Sequence, residues 1–96
     1  MNLLEMDVIF KGLSKREGGE FTNEKGQKVT YDDSYVLKFD EDINGEVSER
    51  RLKFPITNKE LAKKLRDLQT YSRIKLICDV QLYTSSAKLV PIDLGE

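Results

Sequence analysis

Apolar and polar residues alternate from the start of the chain. Leu4, Met6, Val8 and Phe10 interleave with Glu5, Asp7, Ile9 and Lys11, the period of two expected of a strand with one buried face. Polar residues and the Gly18-Gly19 pair predict a loop over 14–25. A second strand is expected over 27–40, with Val29, Tyr31, Tyr35, Leu37 and Phe39 on its apolar face. Asp33 interrupts that face and predicts a bulge or a bend. The stretch from Asp40 to Gly45 is turn chemistry, and Asn44-Gly45 is a strong hairpin signal. A third strand follows over 46–54, with Leu52 and Phe54 inward and Pro55 ending its pairing.

The period then changes. Thr57-Asn58-Lys59-Glu60 matches a capping box, and Leu61, Leu65 and Leu68 recur at helical spacing, which predicts an amphipathic helix over 58–68. A fourth strand turns Ile74, Leu76, Cys78, Val80 and Leu82 inward. A fifth, over 87–94, carries Pro91 at an edge position or bulge. The predicted class is mainly β: a five-stranded antiparallel OB-like barrel with one α-helix between strands 3 and 4. Residues 1–96 form a single domain of this kind, a length that suits one core. OB folds bind oligomers across strands 2–3 and the flanking loops, so those elements are where a site is expected.

Composition narrows the chemistry. Hydrophobic residues make up 39% of the chain and charged ones 34%, which supports a core, but a thin one. No apolar run approaches the ~18 residues of a membrane span, and the N-terminal residues lack a signal-peptide pattern. A cytoplasmic protein with no membrane partner is therefore expected. The lone Cys78 fits a reducing compartment. The chain has no histidine, which excludes histidine-built zinc sites and histidine-activated nucleophiles.

The net charge of −1 argues at first against a nucleic-acid partner. Its distribution changes that picture, because residues 32–49 carry −6 and residues 50–75 carry +7. The near-zero total conceals a dipole that a barrel can place on different faces.

Several motifs have an ordinary explanation. Asp40-x-Asp42-x-Asn44-Gly45 matches the first half of a calcium loop, but the twelfth position is Arg51 and the flanks are strands. A hairpin turn prefers the same residues. Asp32 and Asp33 point to opposite faces if they lie on a strand, and Cys78 falls in an apolar register with no base beside it. Gly18-Gly19 precedes no helix, and Thr84-Ser85-Ser86 is turn chemistry. No catalytic constellation emerges, so the expectation is a protein that is not an enzyme and needs no cofactor or metal.

Basic and aromatic residues interleave instead. Lys59, Lys63, Lys64 and Arg66 decorate the polar side of the helix and fit a solvated face. On the strands, Arg51 and Lys53 project outward together, as do Arg73 and Lys75, while the first loop region adds Lys11, Lys15, Arg16, Lys25 and Lys28. Tyr83, Phe21 and Tyr31 lie where they could stack on bases, whereas Tyr35, Leu37 and Phe39 share the parity of the core.

The segments Met6-Asp7-Val8-Ile9-Phe10 and Lys25-Gly26-Gln27-Lys28-Val29-Thr30-Tyr31, with Lys88-Leu89-Val90-Pro91-Ile92 near the end, give the chain an outline that resembles small phage- or plasmid-encoded OB-fold single-stranded DNA-binding proteins. It differs from them in having no tryptophan and no acidic tail for recruiting replication partners. The resemblance implies sequence-independent binding of single-stranded DNA in replication or recombination of a mobile element, aided by dimerisation or cooperative assembly. The competing expectation is a protein-interaction module whose acidic segment over 32–49 contacts a basic partner or mimics nucleic acid.

Overall fold

The computed structural model describes residues 2–95. Its elements run β1 (Leu3–Arg16), β2 (Gly19–Thr22), β3 (Lys28–Tyr31), β4 (Ser34–Ile43), β5 (Glu46–Pro55), α1 (Lys59–Arg66), β6 (Arg73–Leu82) and β7 (Ala87–Gly95). Five strands form an antiparallel sheet in the order β5-β4-β1-β6-β7, and β2 and β3 form a separate hairpin. The expected single strand over 27–40 is thus two strands, broken at Asp32-Asp33. The expected loop after the first strand contains β2.

Because β2 and β3 are extra strands, α1 lies between the fifth and sixth strands of the chain. Within the five-stranded sheet it follows β5 and precedes β6. The sheet curls without closing. β1 is long enough to pair with β6 through its first half and β4 through its second, overlapping at Val8 and Ile9. That sharing, with a bulge between Phe10 and Gly12, bends the sheet until β5 and β7 approach each other. Among the described residues no ladder joins those two edges, so the sheet is curled and antiparallel without a closed barrel.

The concave side holds the core: Met6, Val8 and Phe10 from β1, Tyr35, Leu37 and Phe39 from β4, Phe54 from β5, and Leu76 and Cys78 from β6. The helix adds Leu61, Ala62 and Leu65. Its cap is Asn58 rather than Thr57, with Oδ1 accepting the Leu61 N–H at 3.2 Å and Nδ2 donating to the Ile92 carbonyl at 3.0 Å. One side chain thus caps the helix and ties it to β7. Arg66 is exposed, as expected of the helix's polar side, and also donates to Tyr35 Oη at 2.9 Å and lies over the Tyr35 ring.

Five apolar residues in the predicted inward registers lie outside the core: Val29 and Tyr31 on the separate hairpin, and Leu4, Val80 and Leu82 on the sheet. Leu4 is exposed, and Leu82 is 70% exposed because β1 begins opposite Asp79 and nothing covers the end of β6. Pro91 is buried on the edge strand β7, beside a register shift opposite Ile77 and Cys78, where its missing N–H is tolerated. Among the described residues no helix is long and apolar enough to cross a membrane.

Burial pushes the Cys78 thiol up to about 11. At about pH 8 such a thiol is roughly a hundredfold less ionised than one at the ordinary value of 9.0. Native protein is therefore expected to resist iodoacetamide at that pH and to react rapidly in denaturant. Mass spectrometry over a time course checks this, and prompt labelling of folded protein would place Cys78 outside the core.

Candidate functional site

The break at Asp32-Asp33 builds the site. Asp33 turns back to accept the Gly18 N–H at 2.7 Å, and Lys15 lies 3.6 Å from its other oxygen. The Gly18 N–H chiefly, with Lys15 adding to it, holds the Asp33 carboxyl below the ordinary carboxylate range. The approach is close enough to require glycine, since a Cβ on Gly18 would come 2.6 Å from the Asp32 carbonyl carbon and 2.8 Å from the Asp33 nitrogen. This contact docks the β2–β3 hairpin beside the sheet.

The hairpin turn is organised by Asn23, whose Oδ1 accepts the N–H groups of Lys25 (3.0 Å) and Gln27 (2.9 Å). Gly26 supplies the positive φ that the turn needs. Phe21 pairs with Val29, and Gly19 with Tyr31, so Phe21 and Tyr31 are diagonal neighbours on one face. The Tyr31 ring lies across Gly19, filling the space a side chain would take. The two rings sit 6.1 Å apart at 50° and remain 51% and 46% exposed. Large rings held in place yet left half in water are not explained by core packing.

These rings form one wall of a cleft of about 720 Å³ between the hairpin, β5 and β7. Arg16, Lys53 and Lys88 supply its positive charge, and Asp32 and Asp33 its negative charge. Among the described residues no ion pair involves Arg16, Lys53 or Lys88. Lys88 is part of the terminal segment noted in the sequence but not among the residues expected to bind nucleic acid. Its alternation with Leu89 marks a strand position, but only the approach of β7 to β5 brings it to the cleft.

Comparison with family models, curated proteins and solved structures finds no match.

Of the residues expected to bind nucleic acid, the cleft brings together Arg16, Phe21, Tyr31 and Lys53. Lys25 sits in the hairpin turn, Lys28 pairs with Glu20 at 3.5 Å, and Lys15 is held by Asp33. Lys11 and Arg51 join Glu49 on the outer face of the sheet. Arg73 and Lys75 lie elsewhere, because β4 and β1 stand between β5 and β6. They line a second cavity with Asp7, Asp40 and Asp42, and Lys75 lies 3.5 Å from Glu5. Tyr83 is exposed past the end of β6 and donates to Gln81 Oε1 at 3.2 Å. Tyr71, not singled out from the sequence, is another exposed aromatic, held at φ 70°.

Folding neutralises the sequence dipole in part. The 32–49 stretch forms β4 and the start of β5, and the first cations of the 50–75 stretch continue β5, where Arg50 lies 3.0 Å from Glu41 and Glu49 contacts Lys38 and Arg51. Asp40 is bound by Lys11, and Asp42 accepts the Gly45 N–H at 3.0 Å. The acidic segment is thus largely engaged within the chain rather than presented to a basic partner. Asn44 and Gly45 both have positive φ, as a two-residue hairpin turn requires.

Proposed function

We propose that the protein is a non-catalytic, cytoplasmic binder of single-stranded DNA that acts without sequence preference, and that its curled sheet is an open form of the OB-like barrel. The strand order β5-β4-β1-β6-β7, the helix between β5 and β6, and the approach of the two edge strands support the fold reading. One observation carries the function: two half-exposed rings and three cations that form no ion pair among the described residues line the same cleft. Flat apolar faces receive unstacked bases of any identity, while Arg16, Lys53 and Lys88 meet the phosphates. The setting, replication or recombination of a phage or plasmid, follows from the resemblance of the strand-opening segments. A cleft with three cations gives one copy modest affinity, so dimerisation or cooperative assembly along the strand supplies the rest.

Fluorescence anisotropy with labelled oligo-dT at two salt concentrations tests this. Three phosphate contacts give a log–log slope of about −2, or roughly a 20-fold loss between about 50 and 200 mM salt. Oligo-dC is expected to bind within a few-fold of oligo-dT. No binding at the lower salt, or binding indifferent to salt, would exclude the proposal.

A further inference from the structure

The outer face of β4 and β5 carries Lys38 and Asp40 opposite Arg51 and Glu49. Asp40 and Glu49 are direct cross-strand partners, a like-charged pair that is unfavourable unless a cation lies between them. Lys11 does so. It is the extra residue where the β1–β4 register slips, and a bulge of this kind re-aims a side chain. Its Nζ lies 2.8 Å from Glu49 Oε1 and 3.4 Å from Asp40 Oδ1. Lys38 Nζ is 3.4 Å from the same Glu49 oxygen, and Arg51 Nη2 is 3.6 Å from the other.

Three cations from three strands therefore converge on one carboxylate. Lys11 alone relieves the repulsion between Asp40 and Glu49; the more exposed Lys38 and Arg51 add little net stability, and gathering three like charges costs repulsion, so folding does not account for the second and third cations. We propose that Lys11, Lys38 and Arg51 form a phosphodiester subsite, which Glu49 occupies in the free protein and a phosphate of the bound strand takes over. The inference rests on the nucleic-acid reading above and adds a second contact to it.

The chemistry matches, since a carboxylate and a phosphodiester each carry one negative charge on acceptor-only oxygens. The hydrogen bond from Lys11 holds the Glu49 carboxyl below its ordinary range and raises the Lys11 ammonium, as a close pair requires. Position matches too. Lys53 lines the aromatic cleft, and Arg51 lies two residues away on the same face, roughly 7 Å along β5. A strand leaving the cleft over Lys53 meets Arg51 next.

Glu49→Gln keeps the side chain's shape and removes its charge. With labelled oligo-dT at about 50 mM salt, E49Q is expected to bind about three- to tenfold tighter than wild type, with a salt slope steeper by up to about 0.7 per freed contact. Glu46→Gln makes the same change in net charge where no ion pair is present among the described residues, and it is expected to stay within about twofold of wild type. Adding Arg51→Gln to E49Q is expected to cancel most of the gain. Binding by wild type with no tightening in E49Q beyond that of E46Q overturns the subsite and leaves single-strand binding standing. Silence from both wild type and E49Q overturns binding itself, and the subsite with it. Binding by E49Q alone supports the subsite.

Discussion

A Phe39→Ala protein is expected to lose about 3–5 kcal/mol of unfolding free energy, the range for truncating a buried phenylalanine. Phe39 has no solvent exposure, lies on β4 and pairs with Phe10 on β1. It sits where the curl of the sheet brings the core together. The surrounding backbone is fixed by ladders on both sides of β4, so the cavity has little freedom to collapse. A domain of this size holds about 5–15 kcal/mol in total, so the loss takes roughly a fifth of it at the least. The melting temperature should fall by roughly 12–40 °C, given about 4–8 °C per kcal/mol for a small domain. Urea denaturation gives the direct measure, as a lower midpoint at unchanged slope. Leu82→Ala is the informative comparison, because Leu82 shares the inward parity of β6 yet stands 70% exposed. It is expected to shift stability by no more than about 0.5 kcal/mol. Equal costs at the two positions would mean that the end of β6 is covered in solution.

The contrast between Phe39 and Leu82 also marks how far periodicity reaches. Alternation locates Met6, Val8, Phe10, Leu76 and Cys78 in the core because burial of a strand face is a local pattern. Whether the pattern runs on to Leu82 depends on where β1 ends, which is a property of a different strand. The break at Asp33 is similar. A polar residue in an apolar register signals an irregularity, but the partner that makes it a strand end is the Gly18 N–H, fifteen residues earlier. The hairpin that follows puts Tyr31 into the cleft rather than the core. The charge segregation had the opposite fate. Asn44-Gly45 is legible as a turn, and a turn there lays β4 against β5, which brings Arg50 and Arg51 beside the acidic stretch. The ion pairs of Glu41 with Arg50 and of Glu49 with Lys38 follow from that register, while Arg51 meets Glu49 two residues along the same strand. Residues such as Arg73 and Lys75 look equivalent to Arg51 and Lys53 by parity alone. Sheet order separates them, and order is set by the crossover through α1.

Replacing Phe21 and Tyr31 together by alanine is expected to weaken single-strand binding by roughly 30-fold or more, since each base–aromatic stack contributes ~1–3 kcal/mol. Both rings are half exposed and outside the core, so the melting temperature should move little. The hairpin that carries them is held by its own ladder, the Asn23 turn and the Gly18–Asp33 contact, none of which uses the rings. Hydrogen exchange of the hairpin amides can verify that it stays docked. The cations remain in the double variant, so its salt slope should match wild type. Lys53→Glu with Lys88→Glu should instead lower the slope by about 1.4, two contacts at about 0.7 each. Tyr31→Phe separates stacking from hydrogen bonding. A retained ring without its hydroxyl should bind nearly as wild type if the face receives a base, and as weakly as alanine if the hydroxyl is what the ligand meets. Full affinity in the double alanine variant would move the binding surface away from the cleft. The outer face of β4 and β5 would then have to carry the strand with Lys38, Arg51 and Lys11 alone, by charge and without stacking, and three contacts there would give the same slope of about −2 as the three cleft cations, so only the charge variants, Lys53→Glu with Lys88→Glu against Arg51→Gln, would tell the two surfaces apart.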